Sequence, residues 1–151
     1  MENFSTIDEI LNFAMKNEQE AVDFYTTMSE HAKNQEMKDV FMNFAGEEVN
    51  HKARLQKIKD DGSFEYKNEK VTDLNISDYL VPAKPHPDMS YQEALILAMK
   101  KEKAAFSLYM KLSTKTDNEG LKSVFISLAQ EEAKHKLRFE LEYDEFILRE
   151  N

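Results

Sequence analysis

Apolar positions near the start of the chain recur in steps that alternate four and three: Ile7, Leu11, Ala14, Ala21, Tyr25, Met28 and Ala32, with Glu18 in the same register. That spacing predicts a helix packed against neighbours at bundle angles. Thr6 and Glu9 read as a capping box at its start. Asn34 is suited to cap a second helix, whose seam is Met37, Phe41, Phe44, Glu48, His51, Leu55 and Ile58. The run Asp60-Asp61-Gly62 ends it, with Gly62 fitted to the left-handed position after the last turn. Ser90 and Glu93 form another capping box before Tyr91, Leu95, Ala98, Glu102, Ala105, Tyr109 and Leu112. Asp117 or Asn118 caps a fourth helix carrying Leu121, Phe125, Leu128, Glu132, His135 and Phe139. Glu142 stands next on that seam, so the clean pattern ends there and the last turns to Phe146 and Leu148 are expected to turn another face inward. The predicted helices span about 6–33, 35–60, 90–116 and 119–149. Residues 62–89 hold all three prolines and no sustained helical period beyond a turn or two over 73–80. They read as a long connection inside a single domain of residues 1–151.

The pattern is written twice. Of the 44 positions from 11 to 54, 18 are identical to the residue 84 places later, far above what unrelated segments would share. Glu18 falls on Glu102, Tyr25 on Tyr109, Glu48 on Glu132 and His51 on His135. The chain is therefore a duplicated helical hairpin, and the fold class is an all-α four-helix bundle with a long crossover between the second and third helices. An up-down-up-down bundle would not need so long a link. A link that crosses the length of the bundle sets those two helices parallel and the hairpins head to tail. Glu18 then lies 16 residues before the turn at Asn34, and Glu48 and His51 lie 14 and 17 after it. At about 1.5 Å per residue the three sit at one level, and the second hairpin repeats that level around Asn118.

Four Glu and two His thus occupy seams otherwise filled by Phe, Leu, Met and Ala. A buried ionised carboxylate costs several kcal/mol unless it is paired or coordinated. No Lys or Arg stands on the seams to neutralise these four. Two divalent cations would balance four carboxylates, with neutral imidazoles adding nitrogen ligands. An oxo-bridged pair of ferric ions balances equally well. The alternative is a buried polar network without metal. One Glu-x-x-His is common by chance; two, each preceded by a core-facing Glu, form a specific metal-ligand set. Oxygen and imidazole ligands without thiolate suit iron or manganese, and zinc can occupy such a set.

Composition narrows the picture. The formal net charge is −9, which disfavours nucleic acid and anionic membrane as partners. The chain has no cysteine, which excludes disulfides, thiolate zinc sites, cysteine-held iron–sulfur centres and a cysteine nucleophile. The longest apolar run, residues 94–99, is far short of the ~20 residues that span a bilayer. The N-terminus lacks the basic and apolar regions of a secretion signal, so the expectation is a soluble, cytoplasmic protein.

The Glu18…Tyr25…Glu48-x-x-His51 and Glu102…Tyr109…Glu132-x-x-His135 pattern resembles the ferritin-like superfamily, most closely the rubrerythrin family, over nearly the whole chain. The resemblance implies a carboxylate-bridged centre of two iron ions and reduction of hydrogen peroxide or oxygen, a role in oxidative stress. By position, Glu48 and Glu132 would bridge the metals. Glu18 with His51 would complete one site and Glu102 with His135 the other. Tyr25 and Tyr109 would hydrogen-bond ligand carboxylates. Two features depart from the family pattern. There is no cysteine-bearing rubredoxin domain, so electrons would come from a separate donor such as rubredoxin. Where the family carries an additional Glu one turn after the third-helix ligand, this chain has Ala105, leaving a symmetric six-ligand set closer to the ferroxidase centre of bacterioferritin. Ferroxidase-type iron handling, a di-manganese catalase and a metal-stiffened structural bundle are the competing functions. A homodimer is expected, with hairpins exchangeable between chains through the long link. Glu47 and Glu131, about 100° round their helices from the ligands, are expected as surface charges, and His31 and His86 as solvated. The eight Met are expected mainly as packing.

Overall fold

Side-chain caps set where the helices begin. Thr6 Oγ1 accepts from the Glu9 amide at 3.2 Å and opens α1, Ile7–Glu30. Asn34 Oδ1 accepts from the Met37 amide at 2.8 Å and opens α2, Gln35–Asp61. Ser90 Oγ accepts from the Glu93 amide at 3.1 Å before α3, Tyr91–Ser113. Of the two candidates for the last helix, Asn118 is the cap: its Oδ1 accepts from the Leu121 amide at 2.9 Å before α4, Glu119–Glu150. The computed structural model describes residues 6–61, 79, 81 and 89–150. Gly62, His86 and nearly all of the 62–89 connection lie outside the described residues, which contain four helices and no sheet.

The first and third helices end at Glu30 and Ser113, each three residues before the expected 33 and 116. Ser29 Oγ donates to the Thr26 carbonyl, and its counterpart Ser113 donates to the Met110 carbonyl, both at 2.6 Å. Such hydroxyls compete for carbonyls that the helix would use and favour its termination. The end of α4 also differs. Glu142 stays on the seam, buried, where it accepts from the Tyr91 hydroxyl and from Arg149, both at 3.2 Å. Phe146 packs edge-on against Tyr91, 5.2 Å between centroids, while Leu148 is exposed.

The core has two apolar ends. One is built from Ile7, Leu11 and Ala14 of α1, Leu55 and Ile58 of α2, Leu108 and Leu112 of α3, and Leu121, Phe125 and Leu128 of α4; Tyr79 packs there too. The other takes Phe24, Tyr25 and Met28 of α1, Met37 and Phe41 of α2, Leu95 and Ala98 of α3, and Phe139 of α4. Hence α2 and α3 both run from the second end to the first, and α1 and α4 both run the other way. The crossover geometry is the expected one: two antiparallel hairpins packed head to tail. The chain is an all-α four-helix bundle. Between the apolar ends lies a single polar layer, where the mid-points of all four helices meet.

Candidate metal centre

Each helix delivers its share of this layer by position. Glu18 and Glu102 stand near the middle of α1 and α3. Glu48 and His51, and Glu132 and His135, are one turn apart on α2 and α4, and so share a face. All six side chains are 1–2% exposed. They form two groups, Glu18, Glu48, His51 and Glu132, and Glu48, Glu102, Glu132 and His135. Within each group one ligand atom per residue lies within 4.8 Å of the others. Glu48 and Glu132 belong to both groups. His51 Nδ1 lies 2.6 Å from Glu132 Oε1, 3.3 Å from Glu48 Oε1 and 3.6 Å from Glu18 Oε2. His135 Nδ1 lies 3.3 Å from Glu48 Oε1 and 3.5 Å from Glu102 Oε1.

These atoms are close without being aligned to one another. Glu18 Oε2, Glu48 Oε1, Glu102 Oε2, Glu132 Oε1 and both Nδ1 atoms are buried and form no hydrogen bond. Native interiors rarely leave a polar atom so; here seven are left in one layer, counting His51 Nε2. Atoms that converge on common points instead of on each other fit a pair of bound cations, and the oxygen and imidazole donors suit them. Without a cation the layer manages its charge with protons. Burial, then Glu48, pushes the Glu18 carboxyl well above its usual range, and burial with Glu102 and Glu18 does the same to Glu132. Burial opposes ionisation of Glu48 as well, but the His135 and His51 imidazoles hold it below the usual carboxylate range. Burial opposes charging of the imidazoles, yet Glu18 and Glu48 hold His51 up at about 10, and Glu102 and Glu48 hold His135 up at about 11. Cations would replace those protons, so metal uptake must release them.

The groups around the layer reach across from the other hairpin. Tyr25 donates to Glu102 Oε1, and Tyr109 donates to Glu18 Oε1 at 2.5 Å. Burial and the facing carboxylates hold both phenols well above their ordinary range, so they stay donors. Glu47 and Glu131 correct the sequence expectation. They are not plain surface charges: Glu47 Oε2 is 3.1 Å from His135 Nε2, and Glu131 Oε1 is 3.5 Å from His51 Nε2. Arg54 also holds Glu131, at 2.7 Å, and keeps its carboxyl below the usual range despite partial burial. The signal that could have found them was their repetition beside each Glu-x-x-His. His31 is exposed, as expected. On the α1–α3 side a cavity of about 230 Å³ reaches Glu18, Glu48, Glu102 and Glu132. Ala21 and its counterpart Ala105 line it, with Lys16 and Lys101 also at its walls. The missing carboxylate at position 105 is thus cavity space.

The Rubrerythrin family model matches residues 9–143. Among solved structures, a candidate ferritin-like diiron-carboxylate protein of Thermotoga maritima superposes with a TM-score of 0.83. It is 23% identical, and the match covers 96% of this chain and 99% of that one. A hypothetical protein of Pyrococcus furiosus superposes with a TM-score of 0.70 at 27% identity, over 90% of this chain and 87% of that one. No curated protein matches the chain significantly.

Proposed function

The chain belongs to the rubrerythrin family, and from that premise we propose that it is a binuclear non-haem iron protein that reduces hydrogen peroxide, or oxygen, with electrons from a separate donor. The observation that carries the reading is the buried layer of convergent ligand atoms that form no hydrogen bond, beside a cavity sized for a small oxidant. Glu18 and His51 would hold one iron, Glu102 and His135 the other, and Glu48 and Glu132 would bridge them. The bound pair would supply the two electrons that, with two protons, convert hydrogen peroxide to two waters. The chain's own work is to hold and to exclude. Tyr25 and Tyr109 fix the orientation of Glu102 and Glu18 through their hydroxyls. The two apolar ends keep bulk water from the layer. Ala21 and Ala105 leave the oxidant room to approach the carboxylates.

No cysteine offers a route for electrons within this chain. A second turnover therefore waits for a donor such as rubredoxin, docked through charge complementarity to the acidic surface. A cytoplasmic setting suits that partnership, and no described helix is long and apolar enough to cross a membrane. The working unit would be a homodimer. The symmetric ligand set with Ala105 favours a second reading, ferroxidase-type iron handling.

The test is to load the protein with iron, reduce it anaerobically, add several equivalents of hydrogen peroxide and follow peroxide consumption together with the near-ultraviolet charge-transfer absorption of the oxidised protein. Fast oxidation that stops after one turnover and resumes when rubredoxin and its reductase are added is the expected result. Oxygen release without a donor would mean a catalase. Iron uptake beyond two per chain would favour iron handling. Two bound metals that ignore peroxide would leave a structural role.

A further inference from the structure

The duplication makes the two halves of the centre near-copies, so each difference between the copies carries information. Arg54 and Arg138 are counterparts 84 positions apart, and so are Glu47 and Glu131. Only one of the two equivalent ion pairs forms. Arg54 Nη1 donates to Glu131 Oε2 at 2.7 Å, and Nη2 donates to Ser127 Oγ at 3.3 Å. Arg138 turns elsewhere: it donates to Glu36 at 2.9 Å and lies 3.9 Å from the buried Glu142. Two sequence differences explain this. Position 120, the counterpart of Glu36, is Gly, and position 58, the counterpart of Glu142, is Ile. Arg138 therefore meets two competing carboxylates, whereas Arg54 meets neither.

The imidazoles register the difference. His135 Nε2 makes a hydrogen bond with Glu47, which has no Lys or Arg partner among the described residues. His51 Nε2, 3.5 Å from Glu131, makes none. Phe44 stacks on His135 at 3.9 Å between centroids and 20° between planes, while the residue at the equivalent position of the other copy is Leu128, which has no ring to stack. We propose that the two halves of the centre bind metal unequally: the half with Glu102 and His135 takes the first divalent cation, and the half with Glu18 and His51 takes the second. The proposal rests on the metal-centre reading of the layer. A guanidinium placed beside the His51 half repels an incoming cation. It also draws Glu131 away from the imidazole that Glu131 would otherwise orient and make more basic. Glu47, with no Lys or Arg partner among the described residues, orients His135 and makes it more basic, and Phe44 holds the ring plane. Arg54 is thus a positioning residue that acts through Glu131.

The experiment is to titrate ¹⁵N-labelled metal-free protein with Zn(II) alone, follow the imidazole nitrogens by NMR and measure affinities by calorimetry. The His135 resonances should move during the first equivalent and those of His51 during the second, with the two dissociation constants roughly tenfold or more apart. Arg54→Gln should merge the steps by tightening the second, and Arg54→Lys should keep them apart. Gly120→Glu, on the exposed first turn of α4, gives Arg54 the competitor that Arg138 has and should act like Arg54→Gln. Two zinc ions taken up in one step, His51 moving first, or an order that Arg54→Gln leaves unchanged would overturn the inequality while leaving a metal centre in place. Zinc that moves neither imidazole would overturn the metal centre and this proposal together.

Discussion

Removing the Tyr109 hydroxyl would leave its ring packed beside Phe125 and take away only the donor to Glu18. Tyr109→Phe should therefore weaken metal binding by roughly 10- to 100-fold, with the fold intact by circular dichroism. Competition against a chelator of known affinity measures it. Neighbouring glutamates separate even more sharply. Glu48 and Glu132 each belong to both ligand groups, so Glu48→Ala or Glu132→Ala should bring metal content below two per chain. Glu47 touches only the far side of His135, so Glu47→Ala should still load two metals, at an affinity reduced about 10- to 100-fold. Metal analysis after loading at saturating and at limiting concentration tells these apart. Equal metal content in all three variants under both conditions would mean that the ligand is the wrong member of each Glu pair.

At the scale of the helix, stability and site separate along the bundle axis. Phe125 is fully buried in the apolar end away from the layer, and Phe125→Ala should cost about 3–5 kcal/mol in chemical denaturation. It should still bind two metals, because Phe125 supplies no ligand atom to either group. The Asn118 cap supports the start of α4, and Asn118→Ala should cost about 1 kcal/mol. Both helices carry the same serine in their last turn, Ser29 and Ser113, and each hydroxyl donates to the carbonyl three residues back.

For the whole molecule, metal and folding are linked. Each ligand group draws on both hairpins: the His51 group takes Glu132 from α4, and the His135 group takes Glu48 from α2. Bound metal at about a thousand times its dissociation constant would add about 4 kcal/mol, so chelation should lower Tm by roughly 8–16 °C for a chain of this size. The metal-free protein should also lose stability as pH rises. His51 and His135 keep their protons in the fold up to about 10 and about 11, against 6.5 when unfolded. Glu18 and Glu132 keep theirs well above 4.5. The folded state thus binds more protons than the unfolded one, and the advantage is complete below pH 6.5 for the imidazoles and drains away toward pH 10. Thermal melts with chelator should give a Tm that falls between about pH 6 and about pH 10. With metal the gap over the metal-free protein should widen, because the ligands shed their protons on binding. A metal-free Tm that rises over that interval would contradict the protonated layer.

The helices, their caps at Thr6, Asn34 and Ser90, the head-to-tail hairpins and the six-residue layer were legible in the chain itself. They depend on local spacing and on a duplication, and both are one-dimensional. Helical period places Glu18, Glu48 and His51 on core-facing stripes whatever the neighbours are, and the crossover length implied that α2 and α3 run parallel. Only the tertiary structure decided which groups meet across the hairpins. Tyr25 serves Glu102 and Tyr109 serves Glu18, each on the opposite copy. Glu47 and Glu131, which face away from the core stripe of an isolated helix, face the adjacent helix in the bundle and reach the ligand imidazoles. Arg54 and Arg138 are identical in sequence position and opposite in partner. The physical reason is the same in each case. A side chain's place around its own helix follows from the period of its own segment, but its partner is set by the rotation and register of another helix, and by which competing charges that helix brings within reach.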